Sequence, residues 1–144
     1  MINNKLTVGI TAGDSNGIGY EVIIKALADA RILESFTPVI YGSSKAFGIY
    51  RKSLHNIDHM ETRLISSAKD AKPKCINIVN CVPDSVGIEP GKPTADSAKS
   101  AILSLKTAVS DIKEGDIDVL VTAPINKRAM NVEGFATTGH TEYL

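Results

Sequence analysis

Two segments of the chain combine residue types that could do chemistry. The first is Thr11-Ala12-Gly13-Asp14-Ser15-Asn16-Gly17-Ile18-Gly19. It joins an apolar run that reads as a buried strand to a run with helical periodicity. Free backbone N–H groups and the positive end of a helix dipole favour an anion at such a junction. The spacing of Gly13, Gly17 and Gly19 fits neither the dinucleotide fingerprint G-x-G-x-x-G nor the P-loop. A tight turn capped by Asp14 or Asn16 and a ligand-holding loop both stay open. The second segment is Thr122-Ala123-Pro124-Ile125-Asn126-Lys127, followed twelve residues later by Gly139-His140-Thr141-Glu142. Lys127 is a compact cation suited to a phosphate or carboxylate. His140 exchanges protons near neutral pH, and Thr141 sets a hydroxyl beside it. Taken singly, these are a proline-ended strand, a solvated lysine and a surface histidine. Both segments follow strands, however, and open parallel sheets hold ligands at the carboxyl ends of their strands. Asp14, Asn126 and Lys127 are therefore the candidate anion or active-site contacts.

Other reactive residues point nowhere specific. His55 and His59 stand four apart around Asp58, a metal-pair spacing on a helix, but the stretch is polar and weakly periodic and reads as a solvated face. Cys75 and Cys81 have no His or Cys neighbour at ligand spacing and read as packed thiols. Two cysteines do not make a disulfide framework, so a reducing cytoplasm is expected.

The elements that must position these residues alternate between short β-rich and helical runs, the pattern of a mostly parallel sheet covered by helices. Strands are expected at Lys5–Ala12, Thr37–Tyr41, Lys74–Asn80 and Asp118–Ala123, the last apolar enough for burial on both faces. A helix fits Ile18–Ala30, with Ile18, Val22, Ile23, Ala26, Leu27 and Ala30 on one face. Ser43 or Ser44 can cap a second helix carrying Ala46, Phe47, Tyr50 and Leu54. The best helix is Thr94–Lys113, with Thr94 as its cap and Gly115 as its stop. Residues 56–73 carry no clear signal, and Val82–Pro93 reads as a loop. The final His140–Leu144 looks like the opening of a further element, which points to a truncated chain.

The 144 residues suit one domain. Sixteen basic and sixteen acidic residues cancel, so no global field would recruit nucleic acid or an anionic membrane, and an anionic substrate needs a local set of donors. No run approaches the length of a membrane helix, and the start carries no targeting pattern.

Ile10-Thr11-Ala12-Gly13-Asp14-Ser15-Asn16-Gly17-Ile18-Gly19-Tyr20-Glu21 resembles the opening I-T-x-G-D-P-x-G-I-G-P-E signature of the 4-hydroxythreonine-4-phosphate dehydrogenase (PdxA) family. Thr122–Lys127 and Gly139–Glu142 match its second signature. Pro90–Ser97 is similar to its loop before the long helix. The resemblance spans essentially the whole chain, in order. It implies an α/β/α fold like that of isocitrate and isopropylmalate dehydrogenases, in truncated form. It also implies a cytoplasmic homodimer that oxidises 4-phosphohydroxy-L-threonine with NAD and a divalent metal (Zn, Mg or Co). The keto acid would lose carbon dioxide to give 3-amino-2-oxopropyl phosphate for pyridoxal phosphate synthesis. His140 and Thr141 match the family's substrate-binding pair. The family's three metal-ligating histidines, most of its NAD contacts and the partner subunit's phosphate contacts lie beyond the GHTE motif, so the 144 residues are expected to be inactive alone. Ser15 and Tyr20 replace the family's usual prolines, which is expected to loosen the first loop and points to D-threonate or D-erythronate 4-phosphate dehydrogenases as the alternative. A non-catalytic anion-binding α/β module is a second alternative. A phosphate acyltransferase on the same fold is a third, opposed by the TAPINK and GHTE pair.

Overall fold

The computed structural model describes residues 5–55, 57 and 60–126. Among them, five strands form one parallel sheet: β1 (Leu6–Thr11), β2 (Phe36–Gly42), β3 (Thr62–Ile65), β4 (Ile76–Asn80) and β5 (Val119–Thr122), in the spatial order β3-β4-β2-β1-β5. Parallel neighbours need crossovers, and three helices supply most of that length: α1 (Gly19–Leu27), α2 (Ser44–Ser53) and α3 (Ala95–Glu114).

Strand residues alternate between two faces, and each face builds its own core. Ile10, Ala12, Ile40, Ile76 and Ile78 turn toward α1 and α2, where they meet Tyr20, Ile23, Ile24, Leu27 and Phe47. Val39, Tyr41 and Val79 turn the other way and pack with Ala108 of α3 and Ile117. The result is a three-layer α/β/α sandwich, as the alternating pattern anticipates.

The helix ends follow from local chemistry. Ser43 caps α2 by accepting from the Ala46 N–H at 3.1 Å. Thr94 and Ser97 form a reciprocal capping box at the start of α3, and Gly115, at φ +80°, ends it.

Four sequence expectations need correction. Neither Asp14 nor Asn16 caps α1; its N-cap is Ile18, with no side-chain hydrogen bond, because both polar residues are engaged elsewhere. That helix is also shorter than Ile18–Ala30: it stops at Leu27, and a 3₁₀ turn at Ala30–Glu34 follows, capped by Asp29. Its buried face runs through Tyr20, Ile23, Ile24 and Leu27, while Ile18 and Val22 are exposed. Finally, β5 is not buried on both faces. Among the described residues it is the sheet edge, and Val119 and Val121 stay 39% and 47% exposed. Val22 and Val121 instead flank an open apolar trough of about 540 Å³ between α1 and β5, floored by Leu6, Val8 and Ile10. The strand β3 lies inside the stretch that carried no sequence signal.

Cys75 is buried and Cys81 partly so. Burial pushes both thiols above their ordinary pKa. His55 is exposed, and His59 lies outside the described residues. Among the described residues no group of three His, Cys, Asp or Glu side chains is placed to hold a metal ion, and no helix is long and apolar enough to cross a membrane.

Candidate functional site

The site is built at the carboxyl ends of β1 and β5, which run side by side with Thr11 opposite Thr122. β1 leaves the sheet through Gly13, whose φ of +71° an L side chain rarely adopts. A Cβ at Gly13 would lie 2.3 Å from the Pro124 carbonyl oxygen. That close approach lets the Asp14 N–H donate to the same oxygen at 2.9 Å. The two turns singled out in the sequence are thus joined backbone to backbone. A second close approach follows, since a Cβ at Gly19 would sit 2.3 Å from the Ala12 carbonyl oxygen, so the first turn of α1 lies against the strand end.

The turn between these glycines closes on itself. Asn16 N–H donates to Asp14 Oδ1 at 2.9 Å and Gly17 N–H to the Asp14 carbonyl at 3.1 Å, an Asx turn of the kind Asp favours. Asp14 is half-buried. Asn16 is 3% exposed. Its Nδ2 donates to the Lys92 carbonyl at 2.8 Å and to Thr94 Oγ1 at 3.0 Å, while its Oδ1 accepts from the Glu89 N–H at 2.7 Å. Its main-chain carbonyl accepts from Gly91 at 2.7 Å. The loop before α3 is thereby fastened to the β1 turn.

On the other side, Tyr50 of α2 donates its hydroxyl to the Ser15 carbonyl at 2.5 Å. Its ring stacks on that of Tyr20 with centroids 5.5 Å apart. The Tyr20 hydroxyl in turn accepts from the Ser43 N–H at 2.9 Å. Burial raises the Tyr20 pKa well above the ordinary phenol value, so it stays a neutral structural phenol. Ser15 and Tyr20 therefore do not loosen the loop as their departure from the proline pattern suggested. They are 1% exposed each and belong to a stack that pins it.

Beyond Pro124, Ile125 packs on Ala98, Ala101 and Leu105 of α3, which sets the direction in which the β5 turn leaves the sheet. Asn126 follows, half-buried. Asp14 and the Thr122–Asn126 segment are thus brought together, while Lys127, His140 and Thr141 lie outside the described residues. The Thr11 and Ser15 hydroxyls are buried at the base of the turn without a hydrogen-bond partner among the described residues. Sequence reasoning missed the role of Asn16 and the Tyr20–Tyr50 pair. The partners of Asn16 lie 73 to 78 residues away, and no local spacing signals such a bridge.

The chain's similarities agree with this arrangement. A 4-hydroxythreonine-4-phosphate dehydrogenase of Bacteroides thetaiotaomicron is 43% identical over 144 residues, which is all of this chain and 39% of that protein. A Clostridium botulinum protein bearing the name D-threonate 4-phosphate dehydrogenase is 32% identical over 148 residues, all of this chain and 43% of that one. The crystal structure of a 4-hydroxythreonine-4-phosphate dehydrogenase from Burkholderia phymatum superposes with a TM-score of 0.84 at 31% identity, covering 97% of this chain and 42% of that one. The chain thus spans about two-fifths of the length of the relatives it matches. The model of the family described as pyridoxal phosphate biosynthetic protein PdxA matches residues 34–144. With that match over most of its length, and with its superposition on a solved relative, the chain belongs to the PdxA family.

Proposed function

We propose that this chain supplies the amino-terminal portion of an NAD-dependent dehydrogenase that oxidises 4-phosphohydroxy-L-threonine, with decarboxylation to 3-amino-2-oxopropyl phosphate in pyridoxal phosphate synthesis. The observation that carries the reading is the Asp14 N–H to Pro124 carbonyl bond at 2.9 Å. It welds the two signature turns into one rim at the sheet's carboxyl edge, where α/β folds hold ligands. Names of the relatives support an oxidoreductase on a phosphorylated hydroxy acid.

On this reading His140, Thr141 and Lys127 hold the substrate's polar groups, and Asp14 and Asn126 contribute at the rim. In the full enzyme, NAD would supply the hydride acceptor and a divalent cation the Lewis acid for the reacting hydroxyl. The described residues do not form a metal-binding set, and the β1 turn lacks dinucleotide-fingerprint spacing. The part we assign to the described residues is to bind and orient the substrate at the rim. A cytoplasmic homodimer completes the proposed assembly.

The test is a chimera in which residues 1–144 replace the matching 39% of the Bacteroides thetaiotaomicron enzyme. NADH formation should follow addition of 4-phosphohydroxy-L-threonine with NAD and divalent metal, while the 144 residues alone should give none. Ser15 and Tyr20, and the 32% identity to the Clostridium botulinum protein, favour D-threonate 4-phosphate as the second substrate to try. A chimera that prefers it would transfer the assignment to that branch, and one that turns over neither would refute the dehydrogenase reading. Phosphate binding by an otherwise inert chimera would favour the anion-binding module.

A further inference from the structure

We infer that Asn16 is a positioning residue that fixes the segment Glu89–Thr94 beside the proposed substrate rim; the inference rests on the dehydrogenase reading above. Three observations lead to it.

First, the Asn16 side chain is not needed for its own turn. That turn closes through the Asp14 carboxylate, the Asp14 carbonyl and the Pro124 carbonyl. Every side-chain bond of Asn16 instead reaches the distant segment: Nδ2 to the Lys92 carbonyl and Thr94 Oγ1, Oδ1 from the Glu89 N–H. Second, apart from the Gly91 N–H bond to the Asn16 main-chain carbonyl and the packing of Ile88 just before it, the segment has little else to hold it. Residues 89–93 are exposed, with an internal Lys92 N–H to Glu89 carbonyl bond of 3.1 Å and a left-handed Gly91 at φ +83°. Its charged side chains, Glu89 and Lys92, face one another at 3.9 Å across open solvent, a pair of little strength. A buried asparagine thus anchors an otherwise exposed strap. Third, the anchor stands beside Asp14 in the turn that meets Pro124, so the strap is tied to the same turn that forms the rim.

Asparagine suits this task because its amide presents two donors and an acceptor in one plane. The strap offers that plane two acceptors, the Lys92 carbonyl and the Thr94 hydroxyl, and one donor, the Glu89 N–H. Aspartate of the same shape has the wrong complement when ionised: it keeps the Glu89 bond and sets a negative oxygen against the Lys92 carbonyl. Protonated, it regains one donor. The charged groups around position 16 are Asp14 on the same turn, Glu89 and Lys92 on the strap and Asp96 at the start of α3, whose carboxylate accepts from Gly87. The Asp14 carboxylate and burial both oppose ionisation at position 16, so the substituted carboxyl would protonate in the mildly acid range.

The experiment uses the same chimera with Asn16→Ala and Asn16→Asp, alongside amide exchange on the 144-residue chain. Asn16→Ala, which removes the acceptor of the Glu89 N–H, should speed exchange at Glu89 more than Asn16→Asp does, while the β1 and β2 amides keep their protection in both. At neutral pH both should lower kcat/KM about ten- to a hundredfold, the range that misplacement of a binding element produces. As pH falls, the deficit of Asn16→Asp relative to the unsubstituted chimera should narrow, and that of Asn16→Ala should not. A purely structural asparagine would lower thermal stability without that pH-dependent rescue. Faster exchange with unchanged kcat/KM would overturn the inference and leave the dehydrogenase reading intact. An inactive unsubstituted chimera would remove that reading, and this one with it. Should Asn16→Ala fail to fold, the pH series of Asn16→Asp decides alone.

Discussion

Replacing Gly13 with alanine tests whether the contact between the two turns is as tight as described. At φ +71° the added Cβ carries the ordinary left-handed penalty of about 1–2 kcal/mol. It also meets two backbone groups, the Pro124 carbonyl oxygen at 2.3 Å and the Ala123 carbonyl oxygen at 2.9 Å. Both distances fall short of ordinary contact at 3.4 Å, and no side-chain rotation relieves them. The end of β5 must move, which breaks the Asp14 N–H to Pro124 bond at a cost of about 1 kcal/mol. The sum is about 3 kcal/mol, or roughly 10 °C in Tm for a domain of this size. Gly91 supplies the control, because it shares the left-handed φ at +83° yet a Cβ there meets nothing within 4 Å. Gly91→Ala should therefore cost only that penalty, about 1–2 kcal/mol. Urea and thermal unfolding of both variants, followed by far-UV circular dichroism, give the comparison. If Gly13→Ala loses no more stability than Gly91→Ala, the β1 and β5 turns are not in the contact described, and the shared rim fails with it.

Three further predictions concern single groups. Tyr50→Phe removes the hydroxyl that reaches the Ser15 carbonyl, for an expected loss of about 1 kcal/mol in urea unfolding. Tyr20→Phe should cost more, about 1–3 kcal/mol, because it strands the buried Ser43 N–H; the reverse order would refute the roles given to this pair. The Asp29 carboxyl should titrate by NMR at about 2 rather than 3.8, held down first by the hydrogen bond from the Arg31 side chain and then by the Arg31 N–H. A depressed folded pKa means that any stabilisation is complete above 3.8 and lost as pH falls through about 2. Arg31→Ala should return the midpoint toward 3.8, and a midpoint that stays low would assign the shift to another cause.

The parts of the fold legible in the sequence were those written in local chemistry. Thr94 and Gly115 bracket α3 because capping and left-handed stops act within a few residues. The strand β1 was readable because its apolar run is continuous. β3 was not, since Thr62, Arg63 and Leu64 sit on the sheet's other edge with one residue of four buried, leaving no hydrophobic pattern to read. The face of α1 was read in part: Ile23 and Leu27 are buried, but Ile18, Val22 and Ala26 repeat at the same helical spacing, and periodicity alone cannot say which row meets the sheet. Asp14 and the Thr122–Asn126 turn were found through their residue types at strand ends. Asn16 was seen only as a cap, because its true partners depend on where the loop before α3 comes to rest.

The pairing of β1 with β5 has a consequence for how the polypeptide is made. Thr7 and Asp118, bonded to each other at the start of that ladder, are separated by 111 residues. At about 5–20 residues per second, a ribosome needs roughly 5–20 s after finishing β1 before its second neighbour emerges. Throughout that interval one side of the strand has no native partner, and long-range pairings of this kind close slowly in any case. Cells producing this protein should therefore depend on chaperone shielding of nascent chains more than cells producing a helical bundle of equal size.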